Sequence, residues 1–220
     1  MQKQENDLLK SCAIDYGVPL TTPQIDLINI YLHELWEWNK KINLTGLTSR
    51  DRILKELLID SLIPSPYLPE VGNLLDVGSG SGFPAIPLKI LIPGLKMHLM
   101  EARSKRVSFL KQVIRITNLD DIEIIRGRIE KDGTLLRSEG YNIITVRALA
   151  DLPQTLTWCA PHLKPGGLIL SFQGSQVEKV IKEGSDIIHQ HKLVLYKTVP
   201  YRLPGKDSIR HLLIFRKDKL

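Results

Sequence analysis

The sequence predicts an α/β fold: a mostly parallel seven-stranded sheet with an antiparallel last strand, preceded by an N-terminal helical cap. Three observations support this prediction. From about residue 70 onwards, short apolar runs alternate with helical patterns, as in a parallel sheet that carries helices on both faces. A glycine-rich turn joins the first apolar run to the helix after it. The last two apolar runs are joined by a short loop, which implies an antiparallel pair.

Residues 1–65 are predicted to form the helical cap, because apolar residues recur there at helical spacing. Thr22 and Pro23 have the residue types of an N-cap and a first helical position, and Ser49 is a second candidate N-cap. The helices are expected over residues 5–16, 22–38 and 49–62, with a break at 38–45. The prolines that follow predict a stiff linker without a helix: Pro64, Pro66 and Pro69.

Residues 66–220 are predicted to form the domain that holds the sheet. Asn73 to Val77 is an apolar run broken by a single acid, as expected of a buried parallel strand, and Pro84 suits the first turn of the next helix. The strands are expected over residues 73–77, 96–100, 123–126, 142–146, 168–172, 192–199 and 211–215. The helices are expected over residues 84–91, 104–117, 152–163 and 176–189, with a turn at 164–167.

Composition indicates a globular protein with a polyanionic partner. The chain has 220 residues, 43% of them hydrophobic and 25% charged, which is ordinary for a soluble domain. No apolar run approaches the length of a membrane span, and the polar N-terminus lacks the pattern of a targeting signal, so we expect a cytoplasmic protein that contacts no membrane. The net charge of +6 favours a polyanion such as nucleic acid.

The two cysteines predict neither a disulfide nor a metal site. Cys12 and Cys159 are far apart in the sequence and show no metal-binding spacing. We therefore expect two reduced, buried thiols and no metal.

The glycine-rich turn predicts a nucleotide-type cradle at the end of the first strand. Its glycines fall at positions 78, 80 and 82, with Asp76 two residues before the first. This spacing differs from the Gly-x-Gly-x-x-Gly dinucleotide fingerprint. S-adenosylmethionine (SAM) has no pyrophosphate and carries an ammonium group, so an acid beside the loop is chemically reasonable. The pattern favours SAM over NAD as the cofactor.

Further candidate ligands follow the other strands, because ligands of open parallel sheets lie beyond the carboxyl ends of the strands. Glu101 lies about 25 residues beyond Asp76 and is a candidate for both ribose hydroxyls, or alternatively a helix-capping acid. The adenine is expected near residues 126–130, where a backbone N–H and an apolar side chain would be enough to recognise it. Arg147 ends the fourth strand and is a candidate partner of the SAM carboxylate, an RNA phosphate or Glu130.

A set of ordered motifs makes a family resemblance specific. The set is Asn43-Leu44-Thr45, Asp60-Ser61-Leu62, residues 76–84, residues 105–110, Arg128-Ile129-Glu130, Arg147-Ala148 and Arg210-His211-Leu212. It resembles the bacterial 16S rRNA guanine-N7 methyltransferase family, also called glucose-inhibited division protein B, over nearly the whole chain. The resemblance implies a Rossmann-like class I SAM-dependent methyltransferase with an N-terminal helical extension.

The resemblance also implies site residues. The family's SAM contacts correspond to Gly78, Phe83, Ile129, Glu130 and Arg147, and the wider class adds Gly80 and Glu101. Three positions depart from the family pattern: Leu57 stands where a His is usual, Ala85 where a Gly is usual, and Gln173 where a Lys is usual. Because two of these changes remove positive groups, SAM binding is a firmer expectation than turnover.

Methylation of guanine N7 needs no general base, since N7 carries a free lone pair, and the sequence offers no obvious base. A C5-pyrimidine methylase would need a nucleophilic cysteine, and Cys159 lies among apolar neighbours. Catalysis is therefore expected to rest on positioning, with Arg147 the one candidate catalytic residue.

The expected partner is 16S rRNA or the small ribosomal subunit, bound by a monomer. N7 lies in the deep major groove of paired RNA, so the target base is expected to be unpaired. The candidate phosphate contacts are Lys40, Lys41, Arg103, Lys105, Arg106, Arg202, Lys206 and Arg210. Three alternatives stay open: a SAM-binding rRNA-binding protein with little turnover, an NAD-linked oxidoreductase, and a small-molecule methyltransferase, which the basic charge disfavours.

Overall fold

A computed structural model describes residues 3–219 of the chain. The cap contains α1 (Lys3–Asp15), α2 (Thr22–Ile42) and α3 (Arg50–Ile53). The remainder contains β1 (Gly72–Val77), α4 (Ala85–Leu91), β2 (Leu95–Glu101), α5 (Ser104–Thr117), β3 (Ile122–Arg126), α6 (Ile129–Asp132), β4 (Tyr141–Arg147), α7 (Leu152–Cys159), β5 (Leu163–Gln173), α8 (Val177–Glu183), α9 (Ser185–Gln190), β6 (Leu193–Arg202) and β7 (Ile209–Lys217).

The sheet has seven strands in the order β3-β2-β1-β4-β5-β7-β6. β1 to β5 pair in parallel, and β7 runs antiparallel to both of its neighbours, β5 and β6. The predicted α/β fold with an antiparallel last strand is therefore confirmed. The strand order reverses between β1 and β4, which makes this the point where an open sheet binds ligands.

Two apolar clusters cover the two faces of the sheet. One joins the cap to the sheet and includes Leu9, Leu35 and Leu99, while the other packs Leu156 and Cys159 of α7 against the opposite face. The buried Tyr31 of α2 donates a hydrogen bond from its hydroxyl to the carbonyl of Ser81 at 2.7 Å. The cap thus contacts the glycine-rich turn directly. The division of the chain near residue 65 into a cap and a methyltransferase domain stays a prediction.

The structure corrects the boundaries of the cap helices. α2 does not break at Trp38 but continues to Ile42, where Asn43 adopts a left-handed conformation with φ 46°. The buried Asn39 supports this turn by donating to the carbonyl of Leu47 at 2.7 Å. The N-cap is Thr21 rather than Thr22, and it forms a capping box with Gln24.

The segment after Ser49 also differs from the expectation of one regular helix. Ser49 caps α3 as predicted, but the α-helix ends at Ile53 and gives way to a π-helical turn over Leu54–Leu58. A 3₁₀ turn follows over Asp60–Leu62. A second 3₁₀ turn over Ser65–Tyr67 lies within the proline-rich linker, which was expected to contain no helix. Pro66 is compatible with this turn because it lies within the first two positions, where no N–H donor is needed.

Elsewhere the expected elements are present with shifted ends. Pro84 is the N-cap of α4 rather than its first residue. The expected turn at residues 164–167 lies inside the longer strand β5, where the register with β4 shifts between Tyr141 and Ile143. The helix expected over 152–163 is α-helical only to Cys159, and the one expected over 176–189 is divided into α8 and α9 at Gly184.

Candidate active site

Two neighbouring cavities lie at the carboxyl ends of the central strands. The first, of about 280 Å³, is lined among others by Gly78, Glu101, Ile129, Glu130 and Arg147. The second, of about 330 Å³, lies between the glycine-rich turn and the cap, with Gly80 and Phe83 in its wall. Both cavities also share part of their lining: Gly78, Arg106, Arg147 and Ala148. The structure therefore brings all seven predicted cofactor residues to one edge of the sheet.

The glycine-rich turn presents bare backbone to these cavities. Gly78 and Gly80 have φ values of +73° and +59°, which L-amino acids with side chains rarely adopt. The Gly78 and Ser79 amides donate to the Met100 carbonyl at 2.9 and 3.0 Å, which fixes the turn against β2. A Cβ added to Gly78 would lie 3.1 Å from the Leu149 side chain. A side chain at this position would consequently be strained and crowded.

Glu101 connects the glycine-rich turn to the start of α5. Its carboxylate is 4% exposed and accepts from the Gly80 amide at 2.8 Å and from the Arg103 amide at 2.7 Å. The Arg106 guanidinium lies 3.7 Å away. Glu101 therefore accepts a hydrogen bond from the backbone at the start of α5, as the helix-capping alternative predicted. Since a carboxylate accepts more than two hydrogen bonds, the ribose role stays a prediction beside it.

Asp76, two residues before Gly78, is buried behind the glycine-rich turn and lines neither cavity, and one of its carboxylate oxygens has no hydrogen bond within the described part of the chain. The side chain is 1% exposed, and its Oδ1 accepts from the Thr145 hydroxyl at 2.7 Å. Its Oδ2 has no hydrogen-bond partner among residues 3–219. Burial raises the pKa of this carboxyl to about 6, although the Thr145 hydrogen bond opposes the shift. A buried acceptor without a donor, two residues before the turn, fits the ammonium group of SAM.

Arg147 is held by the cap rather than by Glu130. Its Nε lies 3.2 Å from Oδ2 of Asp60, and its Nη2 donates to the Glu56 carbonyl at 2.7 Å. The structure contradicts the alternative of an Arg147–Glu130 pair, because Glu130 lies 3.5 Å from Arg128 instead. Arg147 nevertheless lines both cavities, so it borders the space in which either predicted ligand would lie.

Asp60 is the site residue that the sequence did not assign. It is 0% exposed, and its Oδ1 accepts from the Tyr201 hydroxyl at 2.7 Å and lies 3.3 Å from Arg210. One carboxylate thereby ties the cap to the end of β4 and to the β6–β7 hairpin. The only signal in the sequence was the Asp60-Ser61-Leu62 motif, which gave no partner for the acid.

Comparison with known proteins decides the family. The sequence model of GidB, described as rRNA small subunit methyltransferase G, matches residues 24–212. This chain belongs to the GidB family. A "Ribosomal RNA small subunit methyltransferase G" from Geobacter sp. (strain M21) is 33% identical over 99% of this chain and 100% of its own length. A "Ribosomal RNA small subunit methyltransferase G 1" from Syntrophobacter fumaroxidans is 36% identical over 96% of each chain.

Solved structures support the fold of this GidB protein. M. jannaschii TYW2 in complex with AdoMet has a TM-score of 0.57 and 13% identity, covering 71% of this chain and 73% of its own. A precorrin-6y C5,15-methyltransferase from Geobacter metallireducens has a TM-score of 0.56 and 12% identity, covering 79% and 91%. At these identities the comparison shows a class I methyltransferase fold alone.

The three departures from the GidB pattern lie in different surroundings. Leu57 is half-buried and lines the second cavity. Ala85 is fully buried at the start of α4, and Gln173 donates to the Ser171 hydroxyl at 2.8 Å at the end of β5. Of the three, therefore, only Leu57 borders a space in which a substrate of a GidB enzyme would lie.

Several of the predicted phosphate contacts have partners within the protein. Lys206 pairs with Glu56 at 3.3 Å, Arg210 pairs with Asp60, and Lys40 pairs with Glu37 at 2.7 Å. These ion pairs reduce the charge that the three residues present to solvent.

The remaining predicted phosphate contacts differ in exposure. Arg106 is half-buried and donates to the Leu44 carbonyl at 3.2 Å, which places it in the wall of both cavities. Arg202 is exposed, and its Nε donates to the Asp207 carbonyl at 3.3 Å. The other three are exposed side chains: Lys41, Arg103 and Lys105. These exposed groups are the ones most available to an RNA backbone.

The burial of Cys159 limits the chemistry of this GidB protein. Cys159 is fully buried, and burial raises the pKa of its thiol to about 12, so it is no nucleophile at neutral pH. Across residues 3–219, no group of three or more His, Cys, Asp or Glu side chains is arranged to hold a metal ion. In the same part of the chain, no helix is both long and apolar enough to cross a membrane.

Proposed function

We propose that this protein transfers a methyl group from SAM to N7 of a guanine in the 16S RNA of the small ribosomal subunit. Membership of the GidB family supports the rRNA substrate class. The observation that carries the proposal is the pair of adjoining cavities at the glycine-rich turn, one on the sheet side and one on the cap side. The first has five of the seven predicted cofactor residues in its wall, and the second has room for a base beside Gly80 and Phe83.

The chain's own residues suit each part of SAM. Gly80 and Glu101 border the space for the ribose, and Ile129 and Glu130 border the space for the adenine. The unpaired Oδ2 of Asp76 suits the ammonium group, and the Arg147 guanidinium suits a carboxylate. When bound, SAM supplies an electrophilic methyl group on a sulfonium.

The second cavity lacks a general base, which agrees with N7 as the target. Its lining among the described residues contains two arginines as its charged side chains, and no Asp, Glu, His, Cys, Lys or Tyr. Guanine N7 carries a lone pair and no proton, so no residue has to remove one. An exocyclic amine, in contrast, would have to lose a proton to some group in the site.

Positioning is then the main contribution of the protein to the rate. Holding two reactants in line contributes roughly 7–11 kcal/mol in favourable cases. Phe83 is packed by Tyr31 of the cap, with ring centroids 5.2 Å apart, so its ring is fixed in the wall of the second cavity. The methylated guanine is a cation, and an aromatic face stabilises a nearby cation. We therefore propose that the Phe83 ring contacts the target base in the second cavity as well as the cofactor.

The RNA is proposed to reach the site with its target base unpaired. The exposed cations Lys41, Arg103, Lys105 and Arg202 supply phosphate contacts around the entrance, whereas Lys206, Arg210 and Lys40 contribute less because they are paired internally. We propose that the protein acts as a monomer in the cytoplasm, where ribosomal RNA is matured.

Methyl incorporation tests the proposal. The protein is incubated with methyl-labelled SAM and either naked small-subunit rRNA or assembled small subunits, and label in the RNA is counted. Stoichiometric labelling of either substrate is the expected result. SAM binding by calorimetry without labelling of either would favour the alternative of an rRNA-binding protein with little turnover, which Leu57 in the second cavity supports.

A further inference from the structure

A third cavity lies at the opposite end of the sheet from the candidate active site. It has a volume of about 640 Å³ and lies at the amino ends of β4 and β5, between the linker residues Pro66–Pro69 and the β6–β7 hairpin. We call it the basal groove. Asn142 in its wall and Arg147 in the active site lie five residues apart on β4, which corresponds to about 16 Å along a strand.

Aromatic rings and cations alternate along the basal groove. The Nζ of Lys197 lies 4.5 Å from the centroid of the Tyr67 ring. The guanidinium carbon of Arg216 lies 4.6 Å from the centroid of the Tyr196 ring. Tyr196 is 54% exposed, although tyrosine rings tend to be buried over much of their surface. Exposed tyrosine and arginine faces of this kind are surfaces on which nucleic-acid bases stack.

The basal groove is also positively charged without compensation. Lys197, Arg216 and Lys219 line it, and no Asp or Glu does so among residues 3–219. None of these three cations takes part in an ion pair within that part of the chain. Arg210 and Lys206, on the same hairpin but at its other end, are paired with Asp60 and Glu56. Within the described residues, the hairpin therefore has cations without ion pairs at the groove, and the exposed Arg202 is a further one at its other end.

We propose that the basal groove binds an unpaired strand of the ribosomal RNA substrate, outside the target nucleotide. Bases stack on the Tyr196–Arg216 pair, and phosphates contact Lys197 and Lys219. The inference rests on the proposed function, because it assumes an RNA substrate long enough to reach beyond the active site. A second contact about one strand length from the reacting base would fix the orientation of the RNA, which one flipped base cannot do alone.

The test compares surface variants of the full chain in RNA binding. Tyr196→Ala removes the stacking face, Tyr196→Phe keeps it, and Arg216→Glu reverses one charge of the groove. Lys182→Glu is the matched charge control, because Lys182 is exposed on α8 outside the groove. Affinity for naked small-subunit rRNA is measured by filter binding, methyl transfer by steady-state kinetics, and SAM affinity by calorimetry.

Tyr196→Ala and Arg216→Glu are each expected to weaken RNA affinity about tenfold, in keeping with the loss of one stacked base. KM for RNA rises by the same factor, while kcat and SAM affinity are unchanged. The RNA affinities of Tyr196→Phe and Lys182→Glu are expected to stay within about twofold of the affinity of the parent protein. RNA containing 4-thiouridine is expected to cross-link to the peptide that carries Tyr196.

The proposal is overturned if Tyr196→Ala and Arg216→Glu bind RNA as tightly as the parent, or if Lys182→Glu loses as much affinity. Cross-linking of Tyr196 to a ribosomal protein rather than to RNA in the assembled subunit would also overturn it. If the parent protein binds rRNA but transfers no methyl group, only the proposed function is contradicted. The proposal for the groove is tested by the RNA affinity of the variants, which does not depend on methyl transfer.

Discussion

Arg147 at the end of β4 forms an ion pair with Asp60 of the cap, with Nε 3.2 Å from Oδ2. The carboxylate is completely buried, whereas the Arg147 side chain keeps 19% of its surface exposed. The guanidinium therefore borders both cavities while its position is set from behind by the cap. The geometry of the site depends in this way on a residue that contacts neither proposed ligand.

Asp60→Asn is expected to lower both stability and activity, because it leaves Arg147 and Arg210 without their shared counter-charge. Removing one member of a buried ion pair costs about 3 kcal/mol of unfolding free energy, which urea denaturation measures. The kcat for methyl transfer falls as Arg147 loses its fixed position. Tyr201→Phe is the control, since it removes one hydrogen bond to Asp60 and leaves the Arg147 pair intact. Equal kcat values in parent and Asp60→Asn would contradict this role for Asp60.

SAM affinity is expected to rise with pH through about 6, the pKa to which burial raises Asp76. Below that pH the carboxyl is neutral and attracts the SAM ammonium weakly, and above it the carboxylate is ionised. Calorimetry between pH 5 and pH 7 keeps the ligand's amino group protonated, because its pKa is about 8. Affinity increases about tenfold over this interval. Asp76→Asn binds SAM weakly at every pH, and a pH-dependent affinity in this variant would exclude Asp76 as the titrating group.

Gly78→Arg is expected to abolish SAM binding while the protein stays folded. Gly78 has φ +73°, and a side chain there would meet Leu149 and enter the first cavity. Gly17→Arg is a matched control, because Gly17 has φ +72° but a Cβ there would meet nothing within 4 Å. In both variants a side chain is forced to a positive φ, which costs about 1–2 kcal/mol. Only Gly78→Arg also places its side chain in the first cavity. SAM uptake by Gly78→Arg at the parent's affinity, with Gly17→Arg also unaffected, would refute the cavity assignment.

Leu57→His is expected to increase kcat/KM for RNA about threefold at pH 6 and to have little effect at pH 8. Leu57 lines the second cavity, and a histidine there gains a positive charge below about pH 6.5. Leu57→Gln is the control, as it adds a polar group without a charge. If Leu57→His and Leu57→Gln have the same pH profile, the residue at this position does not act through charge.

The sequence predicted the succession of strands along the chain and the edge of the sheet at which the site lies, because apolar runs and glycine spacing are local patterns, whereas the order of the strands within the sheet was not predicted. Glycine spacing and apolar runs identified β1, the turn and Glu101, and parallel strands bring their carboxyl ends together. The predicted end of α2 at about Trp38 was wrong. Asn39 and Asn43 stabilise a turn after Ile42 through contacts that hydrophobic periodicity does not reveal.

The polar contacts between residues far apart in the chain could not be predicted from the sequence. Arg147 and Asp60 are far apart in the chain, and Tyr201 and Arg210 reach the same carboxylate from the last two strands. The pairing of three separate segments on one buried acid is a property of the packed fold. The basal groove escaped prediction for the same reason, since Tyr67, Tyr196 and Arg216 lie on three separate elements.

The identity of the methylated atom is the most direct test of guanine-N7 methylation by this protein. Small-subunit rRNA is methylated by the protein, digested to nucleosides and analysed by mass spectrometry against standards of each methylated base. We expect a single new product, 7-methylguanosine, at up to one residue per RNA, and we expect none when the Gly78→Arg variant replaces the parent protein. Methylation at an exocyclic amine or a pyrimidine carbon would contradict this expectation, because the second cavity among residues 3–219 holds no general base and Cys159 is buried.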